Sequence, residues 1–94
     1  MANLEVDLVA ADRSVWTGEA RMVSAPAADG EIGILPGHSP VLTVLRPGTV
    51  RITPVEGGST HVVRIDSGFM SVDSDHVTVV VDTAEDAAPG SNGR

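Results

Sequence analysis

Ninety-four residues leave room for one small domain, which can bury roughly 60–65% of its unfolded surface and must do so in a single core. A formal net charge of −7, carried by six arginines and no lysine on the basic side, argues against nucleic acid, whose phosphates need clustered positive charge, and against anionic membrane surfaces. The absence of cysteine removes disulfides, thiol catalysis and thiolate metal sites together.

Hydrophobic residues make up 41% of the chain and aromatics 2%, so the core must be built from Val, Ile, Leu and Ala, a mixture that favours strands. Leu4, Val6, Leu8 and Ala10 alternate with Glu5 and Asp7, which predicts a first strand over residues 3–10 with one wet face. After the polar turn Ala11–Ser14, Val15–Ala25 reads as extended, with a bulge or bend expected at Gly18 and Trp16 plugging one end of the core. Ala27–Gly30 is a turn, Glu31–Leu35 a short strand, Val41–Leu45 another, and Arg46-Pro47-Gly48 a turn with Pro at its second position. Thr49–Val55 and Thr60–Ile65 pair across a Glu56–Ser59 hairpin loop, with Pro54 marking a strand end. Phe69–Val72 and His76–Asp82 flank the charged turn Asp73-Ser74-Asp75.

Some eight to ten short strands without helical periodicity predict an all-β sandwich of two packed, mainly antiparallel sheets occupying residues 1–86. Residues 87–94 are too polar to repay ordering and are expected to form a disordered tail. Asp82, Glu85 and Asp86 read as a solvated, helix-initiating remnant. No apolar run approaches the ~20 residues of a membrane span, and no basic n-region precedes an apolar h-region, so a cytoplasmic protein without bilayer insertion is expected.

Catalytic and ligand chemistry is sparse. His38, His61 and His76 lack the paired spacing of metal ligands, and Asp73-x-Asp75 lacks the length and terminal Glu of a calcium loop. His38-Ser39 has no nucleophile elbow, and Gly30-x-x-Gly33 completes neither a dinucleotide fingerprint nor a P-loop. No catalytic residue, metal or cofactor is therefore assigned. The stretch Gly30–Pro40 instead reads as a shaped presenting loop: Gly30, Gly33 and Gly37 permit positive φ, while Pro36 and Pro40 fix their own φ and push Leu35 and Ser39 into extended backbone.

The segment Gly30–Ile52, GEIGILPGHSPVLTVLRPGTVRI, and the segment Ser67–Ala84, SGFMSVDSDHVTVVVDTA, together resemble the N-terminal β-sandwich domain of ε subunits of bacterial F-type ATP synthases, called δ in mitochondria. The resemblance covers about residues 3–86. It implies a non-catalytic rotor subunit on the cytoplasmic face of the plasma membrane, linking the γ subunit to the c-subunit ring and supporting coupling of proton flow to ATP synthesis. By residue-by-residue carry-over, Asp29, Gly30, Glu31 and Ile32 would face the c-ring, and Ala10, His38, Leu42 and Thr43 would lie at γ. Gly33, Pro36, Gly37 and Pro40 would hold the loop geometry. The family usually continues into a helical hairpin where this chain reads Ala-Pro-Gly-Ser-Asn-Gly-Arg, so the ATP binding and inhibition attributed to that hairpin are not expected of it. The rival expectation is a small carbohydrate- or metabolite-binding β module, which a chain with only Trp16 and Phe69 as large rings serves poorly.

Overall fold

The computed structural model describes residues 3–55 and 58–86, apart from the side chain of Asp86; the predicted disordered tail and half of the Glu56–Ser59 loop lie outside them. Among the described residues nine strands run in chain order: β1 (Leu4–Ala10), β2 (Arg13–Ala27), β3 (Gly30–Ile34), β4 (Val41–Leu45), β5 (Gly48–Pro54), β6 (His61–Ile65), β7 (Gly68–Asp73), β8 (His76–Val81) and β9 (Ala84–Asp86). Among the described residues there is no helix long and apolar enough to cross a membrane.

Two layers share β2. Its first half pairs with β1, from Leu4↔Ala20 to Ala10↔Arg13, and β1 continues through β8 and β7 to β4. Its second half pairs with β3 on one edge and β5 on the other, and β5 continues through β6 to β9. All these pairings are antiparallel except β1 with β8. Inward side chains of both layers build one aliphatic core: Leu4, Val6 and Leu8 from β1, Val77 and Val79 from β8, and Val50 and Ile52 from β5 are each 1% exposed or less. Burying each such side chain contributes about 1.5–3 kcal/mol.

β2 is one unbroken strand, because the expected bulge at Gly18 is absent: Gly18 stays in register with Val6. The ladder irregularities fall at Val15, opposite Leu8/Val9, and at Arg21, between the Ala20 and Met22 pairings with β5. Gly18 instead takes φ +157° within the ladder, and a Cβ there would stand 3.0 Å from Cη2 of Trp16. The Trp16 ring packs on the core and lies 6.0 Å from the ring of His61. The expected helix-initiating remnant is also replaced. Ala84–Asp86 form β9, because buried Ala84 pairs with Ile65 and its carbonyl accepts a 3.1 Å hydrogen bond from Arg13.

The end of the β1/β8 layer holds a small polar cluster. Thr17 Oγ1 donates to Asp7 Oδ1 at 2.7 Å and His76 Nε2 donates to Asp7 Oδ2 at 2.9 Å. These two hydrogen bonds, that of His76 first, hold the Asp7 carboxyl below its ordinary value of 3.8.

Three variants test this architecture. Gly68 opposes Val81 at the start of β7, where a Cβ would collide with the Val80 carbonyl oxygen and stand 2.7 Å from Val81 Cα. Since backbone cannot step aside as a side chain can, Gly68→Ala is expected to cost about 3 kcal/mol in denaturant melts. Gly33→Ala, where the nearest atom is Met22 Cε at 3.7 Å, is expected to melt like wild type. For Asp7, the depressed folded value means that the contact adds stability above pH 3.8 and loses it as pH falls through the folded value. Thr17→Val is expected to move the Asp7 carboxyl titration, followed by carbon NMR, back up toward 3.8; a midpoint that does not move would separate Thr17 from this effect.

Candidate functional site

Two exposed surfaces stand out, and each is built from strand register. The first is the tip of the β2–β3 hairpin. Ala27 pairs with Gly30, so Ala28-Asp29 form a two-residue turn and Gly30 takes φ +129°. Asp29, Gly30 and Glu31 are exposed and Ile32 is partly buried against the core. Glu31 therefore stands one residue inside β3, opposite Pro26, rather than on a free loop. The tip is braced from behind: Ala28 N–H donates to the Val44 carbonyl at 3.0 Å, and Arg46 N–H donates to the Pro26 carbonyl at 2.8 Å. Beside it, on the outer face of the β3/β2/β5 layer, Glu31 and Arg51 line shallow depressions of about 350 and 400 Å³ without forming an ion pair.

The second surface is the outer face of the other layer. Four strands carry the register Val9↔Val80, Val80↔Phe69 and Phe69↔Val44, which lines up four apolar side chains in one row. Phe69 is 46% exposed and Val44 64%, and Leu42, two residues along β4, is 72% exposed. The next row is Asp7, Thr78, Ser71 and Leu42, and the one beyond is Glu5, His76 and Asp73. The face thus grades from apolar to acidic over three rows. An exposed contiguous apolar strip with a charged rim is the usual mark of a docking surface.

Of the residues expected at γ, only Leu42 contributes a side chain to this face. Ala10 is 3% exposed, facing the core, and Thr43 shares the inward side of β4 with buried Leu45. His38 is half-buried in the β3–β4 connection, its Nδ1–H donating to the Ser39 carbonyl at 2.7 Å. Val44, Phe69, Val80 and Val9 each read locally as an ordinary strand residue; only the register of four strands shows that they meet.

The expected loop geometry holds in part. Leu35-Pro36-Gly37-His38 is a tight turn closed by His38 N–H donating to the Leu35 carbonyl at 3.1 Å, with Pro second and Gly37 third at φ +88°, the requirements of type II. Gly33 departs from expectation. It has no positive φ, because it lies inside β3 opposite Ser24. Pro40 immediately precedes β4. Among the described residues no three His, Asp or Glu side chains gather as a metal site. Trp16 is packed on the core, which leaves Phe69 as the single exposed large ring.

A model of the family described as ATP synthase, Delta/Epsilon chain, beta-sandwich domain matches residues 3–87. The chain is 44% identical over 88 residues to the ATP synthase epsilon chain of Bordetella petrii, covering 94% of this chain and 62% of that protein. It is 48% identical over 84 residues to the ATP synthase epsilon chain of Streptomyces griseus, covering 89% of this chain and 67% of that one. It thus spans less than two thirds of the Bordetella relative. Its fold superposes on a chain of the cryo-EM structure of Euglena gracilis mitochondrial ATP synthase, OSCP/F1/c-ring in rotational state 1, with a TM-score of 0.84 at 24% identity, covering 92% of this chain and 54% of that one. A chain from the central stalk/c-ring structure of Tetrahymena thermophila mitochondrial ATP synthase gives a TM-score of 0.75 at 18% identity, covering 99% and 77%. At those identities the likeness speaks for the fold, while the family model and the two bacterial relatives speak for descent: the chain belongs to the family of the β-sandwich domain of ATP synthase delta/epsilon chains.

Proposed function

We propose that this chain is a non-catalytic central-stalk component of a proton-translocating ATP synthase, linking the γ subunit to the c-ring at the cytoplasmic face of a bacterial membrane. The observation that carries this reading is the apolar row Val9–Val80–Phe69–Val44 with Leu42 beside it, an adhesive face for which a solitary domain has no use. γ seats on that face, with Leu42 at its β4 side. The c-ring meets the hairpin tip Asp29–Ile32, where two exposed carboxylates and a braced turn suit basic loops. A stiff aliphatic sandwich between the two surfaces transmits torque without performing chemistry.

Because Leu42 and Val44 point to solvent, Leu42→Asp and Val44→Asp are expected to leave the melting curve unchanged and to weaken binding of purified γ by about 2 kcal/mol or more each. Binding within twofold of wild type for both variants would move γ to another face. Glu31→Lys is expected to keep γ binding but lower proton pumping per ATP hydrolysed in reconstituted vesicles, more so at low salt, since an attraction becomes a repulsion at contact distance. An unchanged ratio at both salt levels would place Glu31 outside the c-ring contact.

A further inference from the structure

We propose that Asp75 is a positioning residue that locks the Leu35–Pro40 segment in its docking conformation, an inference that rests on the γ-binding reading above. In the turn Leu35-Pro36-Gly37-His38, Pro36 has no N–H and the His38 N–H is consumed by the Leu35 carbonyl, which leaves Gly37 N–H as the one donor at the tip. Asp75 Oδ1 accepts it at 2.7 Å. This bond crosses from the β3–β4 connection to the β7–β8 hairpin, between residues that no strand pairing joins.

Asp75 is itself held in an unusual state. Asp73 pairs with His76, so Ser74 and Asp75 are the two turn residues, with φ of +51° and +64°. Two consecutive left-handed residues define a type I′ hairpin, whose second position ordinarily goes to Gly. A residue with a Cβ there carries local strain, and strain retained at one position points to a task for its side chain. The Asp75 main chain is anchored as well, because its carbonyl accepts the Glu5 N–H at 2.8 Å. The carboxylate is thus a fixed post on the β1/β8 layer, and the loop tip hangs from it through a bond of charge-assisted type. What the post holds is the turn that carries the exposed apolar side chain of Leu35 and leads through Pro40 into β4, the strand of Leu42 and Val44.

The decisive variant is Asp75→Gly, which keeps the turn at no steric cost and retains the carbonyl that binds Glu5 while deleting the carboxylate. Asp75→Asn keeps an acceptor oxygen. For the full chain, Asp75→Gly is expected to melt at or above the wild-type temperature, to speed hydrogen exchange at the Gly37 amide at least tenfold, and to weaken binding of purified γ about tenfold. Asp75→Asn is expected to restore most of both. Faster Gly37 exchange with γ affinity within twofold of wild type would overturn the positioning role, and unchanged Gly37 exchange in Asp75→Gly would overturn the contact itself. Failure of the wild-type chain to bind γ would sink the docking reading and the positioning role with it, while Gly37 exchange would still decide whether Asp75 holds the loop.

Discussion

The hydrogen-bond ladder of β2 is the constraint on which the remaining structure depends. Fifteen residues from Arg13 to Ala27 run continuously, giving one half to β1 and the other to β3 and β5, so that the two layers are not separate sheets pressed together but one ladder divided along a shared strand. The extra residues at Val15 and Arg21 let this strand change partners while its inward side chains, Ala20, Val23, Ala25 and Ala27, remain in the core. A bulge increases local twist, and twist is what a strand needs to leave one layer and enter another.

Much of the fold was legible because the aliphatic alternation is strict. Leu4–Leu8 and Val77–Val79 show period two, and the hairpin tips at Ala28-Asp29 and Ser74-Asp75 fall where turn residues interrupt the apolar runs. The misses share a cause. Local sequence suggests a bulge at Gly18 and positive φ at Gly33, yet both keep the ladder register, Gly18 at φ +157° beneath the Trp16 ring and Gly33 opposite Ser24. Ala84–Asp86 has a composition that suits a helix start, and it becomes a strand because the β6 edge beside it would otherwise be unpaired.

The candidate surfaces were less legible than the fold, for a related reason. A docking face is a property of several strands at once, and nothing local to Val9, Phe69, Val44 or Val80 announces that they stand abreast. The hairpin tip was easier to find, because turn residues and an exposed acid lie together in the chain. Asp75 belongs to a third kind. Its neighbours make it look like a solvated charge, and only the 2.7 Å approach of Gly37, thirty-eight positions away, gives it a task.

The Val44 peptide unit has a further mechanical meaning. Its side chain stands in the apolar row, while the carbonyl attached to the same Cα receives the Ala28 N–H behind the β2–β3 tip. The two proposed contact areas therefore meet at a single link, with no hinge, flexible loop or layer of side-chain packing in series between them. A shear load entering at one would appear at the other with almost no lag, because hydrogen-bonded backbone yields far less than torsionally free segments do. On that view the domain behaves as a clutch plate rather than a spring: whatever elastic energy a rotary machine stores between its steps has to reside in other parts.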